Sequence, residues 1–120
     1  MKRVLVLAAV LLMVLSAAAS ANWKIGILTG TVTQNEEEYR MAEQMQAEFG
    51  ADRVIIATYP DRFMQEQETT ISNMLEMAAD PNVKAIIMVQ AVPGAAAAVD
   101  RVREFRPDIL IVLGSPQEDP

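Results

Sequence analysis

Four short apolar runs, none of them alternating, limit what this chain can fold into. They are KIGIL from Lys24 to Leu28, RVIIATY from Arg53 to Tyr59, KAIIMVQ from Lys84 to Gln90 and DILIVLG from Asp108 to Gly114. Val and Ile crowd them, and β-branched side chains fit a pleated, packed surface. A strand with one wet face alternates apolar and polar residues. A strand that is apolar throughout is buried on both faces, as in a parallel sheet sandwiched by helices.

The segments between the runs carry helical spacing. Asn35 before Glu36, Glu37 and Glu38 is a helix start, with a capping side chain and acids at the positive end of the macrodipole. Met41, Ala42, Met45 and Phe49 then share a face, and Gly50 supplies the stop. The three glutamates read as a solvated first turn. After the Pro60-Asp61 break, Ile71, Met74, Leu75 and Ala78 repeat at helical spacing until Asp80-Pro81-Asn82. Past Pro93-Gly94, Ala95, Ala98, Val99, Val102 and Phe105 mark a third helix. Arg101, Arg103 and Arg106 are expected on its outer face and last turn, and the residue before Pro107 ends it. The eight methionines read mostly as core or as part of the leader.

The order β-α-β-α-β-α-β with right-handed crossovers predicts an α/β fold: a three-layer (αβα) parallel sheet, strand order 2-1-3-4. Ligands of such sheets gather at the carboxyl ends of the strands where the order reverses, here between the first and third strands. Two loops meet there, Thr29 to Asn35 and Gln90 to Gly94.

Ahead of the first strand, Lys2 and Arg3, the apolar run Val4 to Leu15 and Ala19-Ser20-Ala21 have the layout of a secretory signal peptide over residues 1–21, cleaved after Ala21. The apolar run is shorter than the ~20 residues that a membrane span needs. The expected domain is 22–120, secreted or periplasmic. It keeps eight basic residues against sixteen acids, a formal charge of −8. That balance excludes a nucleic-acid partner, because no basic stripe is present to displace counterions. Without cysteine or histidine the chain lacks thiolate chemistry, the commonest general base and the commonest metal ligand. Ser115 has no histidine to activate it, and Asp61, Glu66 and Glu68 show no paired spacing. The expectation is a non-catalytic protein with no cofactor and no metal.

The binding candidates cluster at strand ends. Thr29, Gly30, Thr31, Gln34 and Asn35 put hydroxyls, amides and backbone N–H groups at a helix N-terminus, which suits anions and other polar groups. The competing reading is that the threonines only cap and turn. Gln90 closes the third strand, Ser115 follows Gly114 after the fourth, and Tyr59 offers either an aromatic wall or packing against Pro60. Neither G-x-x-x-x-G-K-[ST] nor G-x-G-x-x-G is present. The hydroxyl-rich loop looks like a flavodoxin phosphate loop, so an FMN-binding redox module is the alternative, although the later loops carry no aromatic residue to stack on a flavin. A response-regulator receiver would need acids where Leu28 and Thr29 stand.

The strings KIGILTGTVTQNEEEYRMAEQM, YPDRFMQEQETTIS, KAIIMVQAVPGAAAA and REFRPDILIVLGSPQEDP resemble a family of exported bacterial proteins catalogued as domain of unknown function thirty-seven ninety-eight. Its members look like type I periplasmic solute-binding proteins. The resemblance implies a lobe of a periplasmic-binding-protein-like type I fold, the N-terminal half of a two-lobed receptor cut short at Pro120. It implies a small polar ligand, anions included, and a membrane permease complex of an ABC-type importer. By position it carries over Thr29, Gly30, Thr31, Gln34 and Asn35, then Gln90, Ala91, Val92 and Pro93, then Gly114, Ser115 and Pro116 as the ligand-facing set. A third expectation is a truncated or partner-dependent lobe that pairs as a homodimer or with a second lobe.

Overall fold

The computed structural model describes residues 22–118; the expected leader and its cleavage point lie outside them. The elements are β1 (Lys24–Thr29), α1 (Glu36–Phe49), β2 (Val54–Thr58), α2 (Gln67–Ala79), β3 (Val83–Met88), α3 (Ala95–Phe105) and β4 (Leu110–Leu113). They form a four-stranded sheet in the order β2-β1-β3-β4, parallel at every pairing. The three-layer α/β architecture and strand order are those that the apolar, non-alternating runs imply.

Alternation along each strand feeds two separate cores. Ile27 of β1 is buried on the α1 side with Ala42 and Val54, and Ile25, Met45, Ile56 and Val89 pack around them. Leu28, Ile86 and Met88 face the other way, into a larger cluster with Ile71, Met74 and Met77 of α2 and Ala95, Ala98 and Val102 of α3. The alanines let α3 lie close to α2 and the sheet. Each large side chain buried in this way contributes about 1.5–3 kcal/mol.

The sequence implied strands covered on both faces, and β4 departs from that. Leu110 is 62% exposed and Val112 44%, whereas Ile111 and Leu113 pack against the α2/α3 core. A helix about 10 Å wide covers roughly two strands at ~4.8 Å spacing. Two helices suffice for the larger face, but α1, packed on β1 and β2, leaves the β4 side of its own face bare.

Met41 and Phe49 of α1 and Phe105 of α3, each expected on a packed face, are also exposed, as is Met64. Arg106 departs the other way. Expected on the outside of the last turn, its side chain is only 13% exposed, because it turns inward onto the carbonyls of Ala78, Asp80 and Val83.

Candidate functional site at the ends of β1 and β3

The chain leaves β1 at Thr29 and enters α1 through a loop that is held by its own polar groups. The Thr31 amide donates to Gln34 Oε1 at 3.0 Å, and the amides of Gln34 and Asn35 donate to the Thr31 carbonyl. The Gln34 amide group donates to the carbonyls of Pro60 and Asp61, and the Thr31 hydroxyl donates to the Asp61 carboxylate. Asn35 caps α1 as its sequence position implies, Oδ1 accepting from the Glu38 amide at 3.3 Å. The donors that made this loop look anion-binding are therefore largely used within the fold.

Gly30 is fixed by close approach. A Cβ there would sit 3.1 Å from both Gln34 Oε1 and the Tyr59 hydroxyl. Tyr59 is 3% exposed and packs edge-on against Phe63, with ring centroids 5.8 Å apart at 78°. It therefore walls the loop as a buried ring.

On the neighbouring strand end Gln90, just past β3, donates from Nε2 to Glu38 Oε1 at 2.7 Å. Glu38 was expected to face water with Glu36 and Glu37, and it does not. The spacing from Asn35 is that of a capping box, in which the acid reaches back to the cap's own amide. Here the Thr31 carbonyl already accepts from that amide, and the carboxylate is free to reach the sheet. The capping-box spacing was the signal that could have singled out Glu38; only the fold shows that its partner is Gln90.

Two side-chain oxygens near these strand ends are buried without a hydrogen-bond partner, Glu38 Oε2 and Thr29 Oγ1. Thr29 is wholly buried. By alternation from Ile25 and Ile27 it faces the α1 side, the side on which Glu38 stands. An unpaired buried polar group costs about 1–3 kcal/mol, which sets these two atoms apart from the satisfied loop around them.

The remaining sequence candidates form a second group toward β4. Ala91 is buried in the apolar core and offers its backbone, donating to the Gly114 carbonyl at 2.7 Å and accepting from the Gln117 amide. Pro93 follows it. At Gly114 a Cβ would collide with the Val89 carbonyl, so this glycine admits a neighbouring backbone. Ser115 is exposed at a left-handed φ of 41°, one strand farther from Thr29. The N-terminus of α3 is occupied from within, since the Glu118 carboxylate accepts from the amides of Gly94 and Ala96 at 2.9 and 3.0 Å. The structure thus joins Thr29, Gly30, Gln34, Tyr59 and Gln90 with Glu38, and sets Ala91, Gly114 and Ser115 apart.

Two concavities lie elsewhere. One of roughly 220 Å³ is lined by Trp23, Lys24, Arg53 and Asn82, near the amino ends of the strands. The other, of roughly 350 Å³, runs along β2 beside Asn73 and Met77. Size alone does not make either a site; of the three buried side-chain oxygens without a partner among the described residues, two stand by the ends of β1 and β3, and the third, Thr70 Oγ1, lies within α2.

Burial raises the Tyr59 phenol above its ordinary pKa of 10.0, and the negative charge of Glu38 adds to the effect. The folded state therefore holds this proton where the unfolded chain releases it. The resulting stability is fully present below about pH 10 and is lost as pH rises through the higher folded value. In thermal melts from about pH 8 to pH 11, Tyr59→Phe should show a shallower alkaline fall in Tm than the parent. An equal fall would place the phenol in water.

The chain matches the family described as "Protein of unknown function (DUF3798)" over residues 23–120. It is 31% identical over 108 residues to an uncharacterized protein of Treponema pallidum (strain Nichols), covering 85% of this chain and 49% of that protein. A second uncharacterized Treponema pallidum protein is 44% identical over 45 residues, 38% of this chain and 21% of its own length. The chain thus spans about half the length of the first of these relatives and less of the second. Among solved structures, the fold resembles a crystal structure described as a "Putative transcriptional regulator" from Clostridium difficile 630. The TM-score is 0.68 at 23% identity, over 74% of this chain and 28% of that one. With the family matched over nearly the whole described segment, this chain belongs to the DUF3798 proteins of unknown function.

Proposed function

We propose that this chain is the ligand-facing first lobe of an exported, non-catalytic solute-binding protein for a small polar ligand, of the kind that serves an ABC-type importer. The observation that carries the reading is the pair of unsatisfied buried oxygens on Thr29 and Glu38, at the strand ends where open parallel sheets receive ligands. The partner of Glu38 is the amide of Gln90, which cannot act as an acid or base, and this favours binding over catalysis. Matched proteins of about twice the length or more support a second half that closes over the crevice, and the leader-like residues 1–21 support export.

The test is a thermal-shift screen of residues 22–120 against sugars, amino acids, amines and nucleosides. A ligand at ~100 times its Kd stabilises the folded state by about 2.7 kcal/mol. In a domain of this size that raises Tm by roughly 10–20 °C. The rise should vanish when Thr29 and Gln90 are replaced by Val and Leu. A folded domain that responds to none of these classes would overturn the proposal.

A further inference from the structure

We infer that the crevice between Thr29, Glu38 and Gln90 selects a cationic amine, with Glu38 as the group that meets it. The inference rests on the ligand-binding reading above and narrows it to one chemistry. An anion would need free donors. Those of Thr31 and Gln34 and the backbone amide of Asn35 bond to Gln34, Thr31, Pro60 and Asp61, and the Gly94 and Ala96 amides opening α3 are taken by Glu118.

What is left over is an acceptor. Glu38 Oε2 is buried and unpartnered, and its other oxygen is held at 2.7 Å by Gln90. The second orphan, the Thr29 hydroxyl, meets no protein partner and can accept from a ligand N–H. A carboxylate shielded from water repels anions, and it binds an ammonium by charge-assisted hydrogen bonds about twice as strong as neutral ones. Both oxygens lie beneath the surface, so the entering amine wedges between β1 and the first turn of α1. The excess of acids over bases in the chain draws cations toward it.

Three four-carbon probes of similar size separate the possibilities: putrescine, erythritol and succinate, titrated into ¹⁵N-labelled protein in physiological salt. Putrescine should shift the amides of Thr29 and Glu38 and the Gln90 side-chain NH₂, with succinate inert and erythritol weaker. Glu38→Gln keeps the shape and removes the charge, and should weaken putrescine at least about tenfold. Thr29→Val keeps both the charge and the side-chain shape, and should weaken it less, by about three- to tenfold; it carries the test if Glu38→Gln does not fold. Erythritol or succinate binding at these residues as well as putrescine would overturn the amine inference and leave the binding reading standing. Putrescine shifts spread over the acidic surface and unchanged in Glu38→Gln would overturn it too. No response at the crevice to any of the three would count against both.

Discussion

Arg106→Ala should lower the unfolding free energy by about 2–4 kcal/mol, the largest loss expected from any single side chain outside the apolar core. Nη1 donates to the carbonyls of Ala78 at 2.8 Å and Asp80 at 3.0 Å, and Nη2 donates to that of Val83 at 2.8 Å. These carbonyls belong to the last turn of α2, its cap and the start of β3. One guanidinium therefore ties the end of α3 to the α2–β3 turn. Asp108 fixes the fork from the other side, accepting from Nε and Nη2 at 3.0 Å each. That bond raises the guanidinium pKa further and holds the Asp108 carboxyl below its usual range. Removing the side chain takes a donor from the end of α2, which has no basic residue in its own last turn, and leaves the Asp80 carbonyl with the Val83 amide alone. In a domain of about this size the loss corresponds to a fall in Tm of roughly 8–30 °C. Arg106→Lys should recover less than half of it, because an ammonium cannot span carbonyls and carboxylate in one plane. A fall of under about 3 °C for the alanine variant would show the cluster to be a solvated ion pair of little consequence.

Gly114→Ala is the second large effect, about 2–3 kcal/mol and roughly 8–20 °C in Tm. The new methyl would collide with the Val89 carbonyl, and that backbone has nowhere to go. The Val89 amide donates to the Leu28 carbonyl at 2.9 Å, the Gly114 amide to that of Met88 at 2.9 Å, and the Ala91 amide to that of Gly114 at 2.7 Å. Relief therefore displaces the segment that carries Gln90. The Gln90 side-chain NH₂ resonances should move in the variant even without ligand, which links a packing defect at β4 to the crevice at β1. A variant with parental Tm and unmoved Gln90 signals would mean that the two strand exits separate at little cost.

The fold was largely legible because its signals are local. Non-alternating apolar runs separated by helix-length segments admit few topologies once crossovers must be right-handed. Asn35, Gly50 and Pro107 punctuate the chain through their own backbone preferences. What misled was coverage. The apolar residues Met41, Phe49, Phe105, Leu110 and Val112 all read as core, yet each stays exposed, because a hydrophobic pattern says which face is apolar and not whether anything covers it.

The candidate site divides in the same way. Thr29, Gly30, Gln34, Tyr59 and Gln90 follow from the switch-point rule, which needs only strand order. Glu38 and the inward turn of Arg106 did not follow. The Glu38 partner lies 52 residues away and those of Arg106 lie 23 to 28 residues away, and helical periodicity places both charges in water. By itself the sequence determined the strands, their order and the end of the sheet where polar loops converge, since each depends on local preference and chain connectivity. Only the tertiary structure decided which of those polar groups satisfy one another and which are left over. Hydrogen bonding between distant residues depends on distance and direction in space, and these exist only once the sheet has brought β1, β3 and α1 together.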